Sequence, residues 1–405
     1  MPPLVDHDIV CVSVMDWEHP FQSSRHHLMR ALARHNRVLF VDNQFNPVNV
    51  LRGLRQAPMR RKLATWAGLA QNPREVEPNV WVYNPPPVLP MGKLTDPAVF
   101  NRIYALNQRG LVKGVQGACK ALGFERPVLW ISFNVLSSEG LIGHLDEQLV
   151  IYHCTDEITA MSGTSCFAGE IERRLLAKSD LVFTSSRQLL ADKGPFNPNS
   201  HFVPNGADTE LFERALDPLL APHPVLEGLA GPVIGFAGHM EDRFDFDLIA
   251  AVAAAHPAWS IALAGPIAPA QQAQADRLAS QPNVRFCGLL PREELPAFLK
   301  GVDVALIPFV HSRQTRAIYP LKLNEYLAAG KPVALTPFAD LREFDGLVAV
   351  GDGPEAFAAA IADALQDTPE RRAARVALAR ANNWDGRMAH MAGLIGHTLE
   401  GRQAA

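Results

Sequence analysis

Cysteine is scarce, and the five that occur, Cys11, Cys119, Cys154, Cys166 and Cys287, are scattered, odd in number and never in a C-x-x-C pair. That excludes a disulfide framework and a zinc-ribbon site, and it predicts reduced, structural thiols in a cytosolic compartment. No apolar run approaches the length needed to cross a bilayer, so a transmembrane helix is not expected. The first residues carry Asp6 and Asp8 where a signal peptide needs basic residues, and their apolar run is only strand-length. Excess charge is also missing. A net charge of −4 in 405 residues argues against general nucleic-acid binding.

What is present is an ordinary globular mixture, 48% hydrophobic and 20% charged, in a chain too long for one core. Strand-length apolar runs alternate with stretches of helical spacing. The first half reads as strands at 9–15, 38–41, 80–83, 128–133, 149–153 and 181–184, with a capped helix at 23–35 and a long one at 96–122. After Val203-Pro-Asn-Gly-Ala-Asp208 and a Pro-rich linker through Pro218, Pro222 and Pro224, a second series begins. Its strands follow Pro232 and lie at 259–264, 284–287, 302–308 and 333–336, with helices at 245–255, 268–280, 292–300 and 322–329. Apolar strands without alternation, separated by helices, predict parallel sheets built from βαβ units. The expected class is α/β, with two Rossmann-like domains facing a central cleft: 1–204, 205–383, and a last helix at 384–405 crossing back to the first domain.

Candidate chemistry gathers at the carboxyl ends of the strands, where open α/β sheets bind ligands. After the first strand come Asp16, Trp17 and His19, then Arg25, His26 and His27 at the start of the helix. His19 sits on the loop while adjacent His26 and His27 diverge around the helix, so no metal site is expected there. His153 and Asp156 end another strand; the simpler alternative for Asp156 is a helix cap. In the second half Gly235-Phe-Ala-Gly-His-Met-Glu-Asp-Arg243 forms a glycine turn suited to close approach of a diphosphate. It is not the G-x-G-x-x-G of dinucleotide sites, and Gly330-Lys331-Pro332 is no P-loop. Asp245-Phe-Asp247 reads as a helix first turn rather than a metal-nucleotide motif. Lys322 and Glu325 share one face near the start of a helix that Gly330 ends, either a surface pair or a phosphate-facing pair. Residues 46–76 interleave Arg52, Arg55, Arg60, Arg61 and Lys62 with apolar side chains, a pattern that fits an anionic membrane surface or a solvated insertion.

In this order, Val203-Pro-Asn-Gly-x-Asp208, Gly235-Phe-x-Gly238, Asn283-Val-x-Phe-x-Gly288 and Lys322-x-x-Glu-Tyr-Leu-Ala-Ala-Gly-Lys-Pro-Val resemble the retaining GT-B glycosyltransferases of family 4, glycosyl transferases group 1. The likeness is greatest to bacterial enzymes of cell-surface polysaccharides, the teichuronic-acid type included, and it is close over 200–385 and looser before. It implies a UDP- or GDP-sugar donor held mainly by the second domain, a saccharide or lipid-linked acceptor, and no metal cofactor. By position, Glu325 would hold the ribose, with Gly238, His239, Tyr319, Leu321 and Leu323 also at the donor. Lys322 and then Arg243 would neutralise the diphosphate, and His153 and Asp156 would orient hydroxyls. Asp16, Trp17, His19 and Arg25 would face the acceptor. The expected location is cytoplasmic, peripheral on the inner face of the plasma membrane.

Two positions depart from the family pattern. The second carboxylate expected eight residues before Glu325 is Ala317, and His239 stands where a cation usually follows the glycine turn. A sugar-nucleotide 2-epimerase of the same fold, or a non-catalytic nucleotide-sugar-binding protein, are the competing readings. The basic segment at 46–76 favours transfer to a lipid-linked or polymeric acceptor over epimerisation, which needs no membrane surface.

Overall fold

In the computed structural model, which describes residues 4–19, 22–53, 57–161 and 163–403, the apolar runs of the first half become one eight-stranded sheet. Its strands are β1 (Asp8–Ser13), β2 (Arg37–Val41), β3 (Arg74–Glu77), β4 (Val80–Tyr83), β5 (Val128–Ser132), β6 (Leu149–Cys154), β7 (Leu181–Thr184) and β8 (Ser200–Phe202). They lie in the order β3-β4-β2-β1-β5-β6-β7-β8, all parallel except the β3–β4 pair. β1, β5, β6 and β7 are buried along their whole lengths, which is why they read as unbroken apolar runs. The order reverses at β1, flanked by β2 and β5, so the carboxyl ends of β1 and β5 form a topological switch point.

The second half forms a six-stranded parallel sheet of β9 (Val233–Ala237), β10 (Ser260–Ala264), β11 (Val284–Gly288), β12 (Val304–Ile307), β13 (Val333–Leu335) and β14 (Ala349–Val350). The order is β11-β10-β9-β12-β13-β14, with the switch at the carboxyl ends of β9 and β12. Residues 1–204 with 387–405 make one compact unit, and residues 205–386 the other. The terminal helix Trp384–Gln403 therefore starts in the second unit and ends in the first, where Arg402 pairs with Asp180. Within the second unit, Gly206 is packed so tightly that a Cβ there would sit 3.0 Å from Trp384 and from the Asn382 carbonyl.

The 46–76 stretch has more structure than its composition announces. It contains helices Pro47–Gly53 and Ala57–Trp66 and the edge strand β3. The expectation of a basic face is corrected at Lys62, which is 4% exposed with its ammonium 2.9 Å from Asp16 and 3.2 Å from Asp42. Arg61 is exposed but pairs with Glu18. The Arg52 side chain and Arg55 lie outside the described residues. No described helix is long and apolar enough to cross a membrane.

Candidate active site

Three glycines build the floor of the second unit's switch point. Gly238 follows β9, Gly265 follows β10 and Gly288 ends β11. Gly238 donates its N–H to the Ala264 carbonyl at 2.8 Å, and Gly265 donates to the Gly288 carbonyl at 2.7 Å. Gly265 has φ +135°, and a Cβ there would stand 1.9 Å from the Gly238 carbonyl oxygen. A Cβ on Gly238 would stand 1.8 Å from Cε of Lys322. The sequence supplies glycine here because the Lys322 side chain lies across the turn itself.

Lys322 and Glu325 come from the helix Leu321–Ala328. Pro320 precedes it and no side chain caps its first turn. Gly330, at φ +70°, ends it: the Lys331 N–H donates to the Tyr326 carbonyl and the Gly330 N–H to Leu327, each at 2.9 Å, a Schellman motif. Tyr326 clamps the helix to the end of β9, its hydroxyl accepting from the Ala237 N–H at 2.9 Å and donating to the Ala237 carbonyl at 3.2 Å. Two such bonds contribute roughly 1 kcal/mol each and fix the height of the helix against the glycine turn.

Neither charge of the pair is satisfied by a neighbour. The Lys322 ammonium lies 5.6 Å from the Phe236 ring centroid and has no hydrogen bond or ion pair among the described residues. Burial pushes its pKa down to about 8, helped by Arg243 and opposed by Glu325 and Glu241. The Glu325 carboxylate likewise accepts no hydrogen bond among the described residues. Burial raises its pKa against the pull of Lys322 and Arg292, and Asp208 adds to the rise. Half-buried opposite charges, both displaced toward neutrality and both unbonded, can hold a ligand that brings an anion to one and hydroxyl donors to the other.

The other expected donor residues fall into two groups. His239 is exposed and Arg243 partly so, and both lean on Glu241: His239 Nδ1 is 3.4 Å from it and the Arg243 guanidinium pairs with it. Glu241 and the Arg292–Asp208 ion pair, 2.8 Å, are neighbours of the site that sequence reading passed over. Leu323 is wholly buried and Tyr319 3% exposed, so their side chains belong to the core, with Leu321 half-buried beside them. Ala317 is buried at 1%. Asp245 caps the helix Phe246–Ala255 by accepting from the Leu248 N–H at 2.9 Å, the plain reading of its motif. Among the described residues no three His, Cys, Asp or Glu side chains are grouped to hold a metal ion.

In the first unit the loop after β1 is pinned rather than open. Trp17 is 3% exposed, its backbone N–H bonds Asp42 at 2.8 Å, and its indole N–H bonds Glu77 at 3.2 Å. Asp16 takes Lys62 and the Asn43 N–H, and burial raises the Asp42 pKa to about 6 despite Lys62. Asp16 and Trp17 thus have structural work that their sequence positions did not announce. His19 is half-buried, and its carbonyl accepts from Gln22. Arg25 is 5% exposed and His153 2%, with burial, and then Arg25, lowering the His153 pKa to about 3. Asp156 is half-buried, and the capping role falls to Glu157, which accepts from the Thr159 N–H.

Residues 231–367 match the family model described as Glycosyl transferases group 1. A Bacillus subtilis (strain 168) protein named as a teichuronic acid biosynthesis glycosyltransferase, TuaH, is 29% identical over 287 residues, covering 64% of this chain and 70% of that one. Among solved structures, sucrose-phosphate synthase from Thermosynechococcus elongatus superimposes with a TM-score of 0.70 at 16% identity, covering 98% of this chain and all of that one. The trehalose 6-phosphate synthase of Burkholderia multivorans gives 0.68 at 13% identity, with 99% of each chain covered. Anabaena HepE, solved with UDP and glucose, gives 0.62 at 13% identity over 96% of this chain and all of that one. The two α/β units have the GT-B fold, and the second carries a Glycosyl transferases group 1 domain, which together with the relative makes the chain a glycosyltransferase.

Proposed function

We propose that the protein transfers a sugar from a nucleoside-diphosphate sugar to a saccharide or lipid-linked acceptor, with retention, in cell-surface polysaccharide synthesis. The observation that carries the donor class is the unbonded Lys322 and Glu325 pair above the Gly238 turn. Glu325 accepts hydrogen bonds from the ribose hydroxyls, and Lys322 meets the diphosphate. Departure of a nucleoside diphosphate develops charge that a fixed cation stabilises, and the uncapped first turn of the helix adds its N–H groups. Arg243 supplies a second cation once the phosphates compete with Glu241 for it. The teichuronic acid relative supports the polysaccharide setting. Membrane apposition rests on the exposed Arg60 and Arg61 without the buried Lys62.

Replacing Glu325 with Ala is expected to weaken donor binding by about 1.5–3 kcal/mol, the range for hydrogen bonds to a charged group. Calorimetry with UDP and GDP on the folded variant reads this directly. Unchanged affinity would remove Glu325 from the ribose.

A further inference from the structure

Among the described residues four cations are buried: Arg25, Lys62 and Lys193 in the first unit and Arg375 in the second. Lys62 is held by two carboxylates, Lys193 by Glu157 and Glu172 at 2.8 Å each, and Arg375 by Asp367 at 2.6 Å. Arg25 differs. It is 5% exposed, makes no hydrogen bond or ion pair among the described residues, and its Nε is buried without a partner. A charge taken out of water without a partner is costly, so a site that keeps one points to a ligand that completes it.

The surroundings repeat the pattern. Ser13, Ser132 and His153 stand side by side in register across β1, β5 and β6, at the switch point of the sheet. They share a face with Trp130, two residues before Ser132, whose ring meets His153 edge-on at 5.8 Å. Arg25, from the helix Ser24–Ala33, is near enough for its charge to act on both His153 and Cys11, two residues before Ser13 on the same face of β1. Ser132 Oγ and His153 Nδ1 are buried with no hydrogen-bond partner, like Arg25 Nε. No counter-charge comes from the cluster itself. Burial holds the Cys11 thiol neutral, its pKa pushed up to about 12, and His153 is neutral as well. The charge of Asp156 acts on Arg25 and offsets part of the cost of its burial.

We infer that Arg25, Ser132 and His153 form a subsite for an oxyanion, a carboxylate or a phosphate, carried by the acceptor sugar. The guanidinium donates to the oxyanion in the forked geometry that suits both groups, the Ser132 hydroxyl donates one bond more, and the neutral imidazole meets an adjacent hydroxyl. Assignment to the acceptor rests on the transferase reading.

Calorimetric titration of the full chain with D-glucuronate, glucose 6-phosphate and glucose tests the subsite, with UDP and GDP titrated separately. At least one acidic sugar is expected to bind tenfold or more tighter than glucose, and the stronger of the two tells carboxylate from phosphate. Arg25→Met should bring that acid to within about twofold of glucose, while Arg25→Lys keeps part of the preference. Ser132→Ala, a smaller change, should reduce it several-fold and serves where Arg25→Met does not fold. Acids that bind no tighter than glucose overturn the subsite, as does a preference that survives Arg25→Met or, where that variant does not fold, Ser132→Ala. Nucleotide binding without acid preference overturns the subsite alone. Acid preference without binding of either nucleotide supports the subsite and counts against the transferase reading.

Discussion

Lys322→Met is expected to lower turnover roughly a hundred- to a thousandfold, the loss typical when one preorganised group that stabilises developing charge is removed. Donor affinity should fall less, by about tenfold, because the ammonium acts most strongly when the diphosphate departs. Steady-state rates set beside calorimetric nucleotide affinities separate the two. Equal losses in both would make Lys322 a ground-state ligand only. The pH dependence follows from the same ammonium. Burial, with Arg243, sets its pKa at about 8, so Lys322 is charged below that pH and loses its charge above it. kcat/KM should therefore fall on the alkaline side with an apparent pKa near 8, since that ratio reports the free enzyme. Lys322→Arg, whose guanidinium stays charged, should remove this alkaline limb even where it lowers the rate.

The second large effect separates two adjacent glycines. A Cβ at Gly265 would overlap the Gly238 carbonyl at 1.9 Å, backbone against backbone, at a φ of +135° that L-residues rarely adopt. Gly265→Ala is expected to cost about 3 kcal/mol or more in stability, overpacking and backbone strain together. Gly238, at φ +155°, carries backbone strain as well, but a Cβ there meets the end of a flexible chain, Cε of Lys322 at 1.8 Å, which can swing aside. Gly238→Ala should cost less stability than Gly265→Ala and lose activity nearly as Lys322→Met does. Denaturant melts paired with rate measurements check both. A Gly265→Ala protein of unchanged stability, or a fully active Gly238→Ala protein, would contradict the packing described.

The central strands and the helix carrying Lys322 and Glu325 were legible because their signals are local. Apolar runs without alternation mark buried parallel strands, and Gly330 at a helix end marks its stop. The rest depends on partners far apart in the chain. Lys62 looked like one of a cluster of surface cations, and only Asp16 and Asp42, 46 and 20 residues away, take it into the interior. Trp17 read as an acceptor-facing residue of the loop after the first strand, and only Glu77, 60 residues on, receives its indole N–H. Gly265 stands alone in sequence, and its necessity appears only when β10 is laid beside β9. Arg292 carried no motif, yet its pairing with Asp208 sets part of the field at Glu325.

The most direct test of sugar transfer is product analysis by mass spectrometry after incubating the protein with UDP- and GDP-sugars, with and without saccharide or lipid-linked acceptors. The account predicts a free nucleoside diphosphate together with an acceptor heavier by one sugar, both lost in Lys322→Met. An isomerised sugar nucleotide with no transfer, or intact donor under every condition, would contradict it.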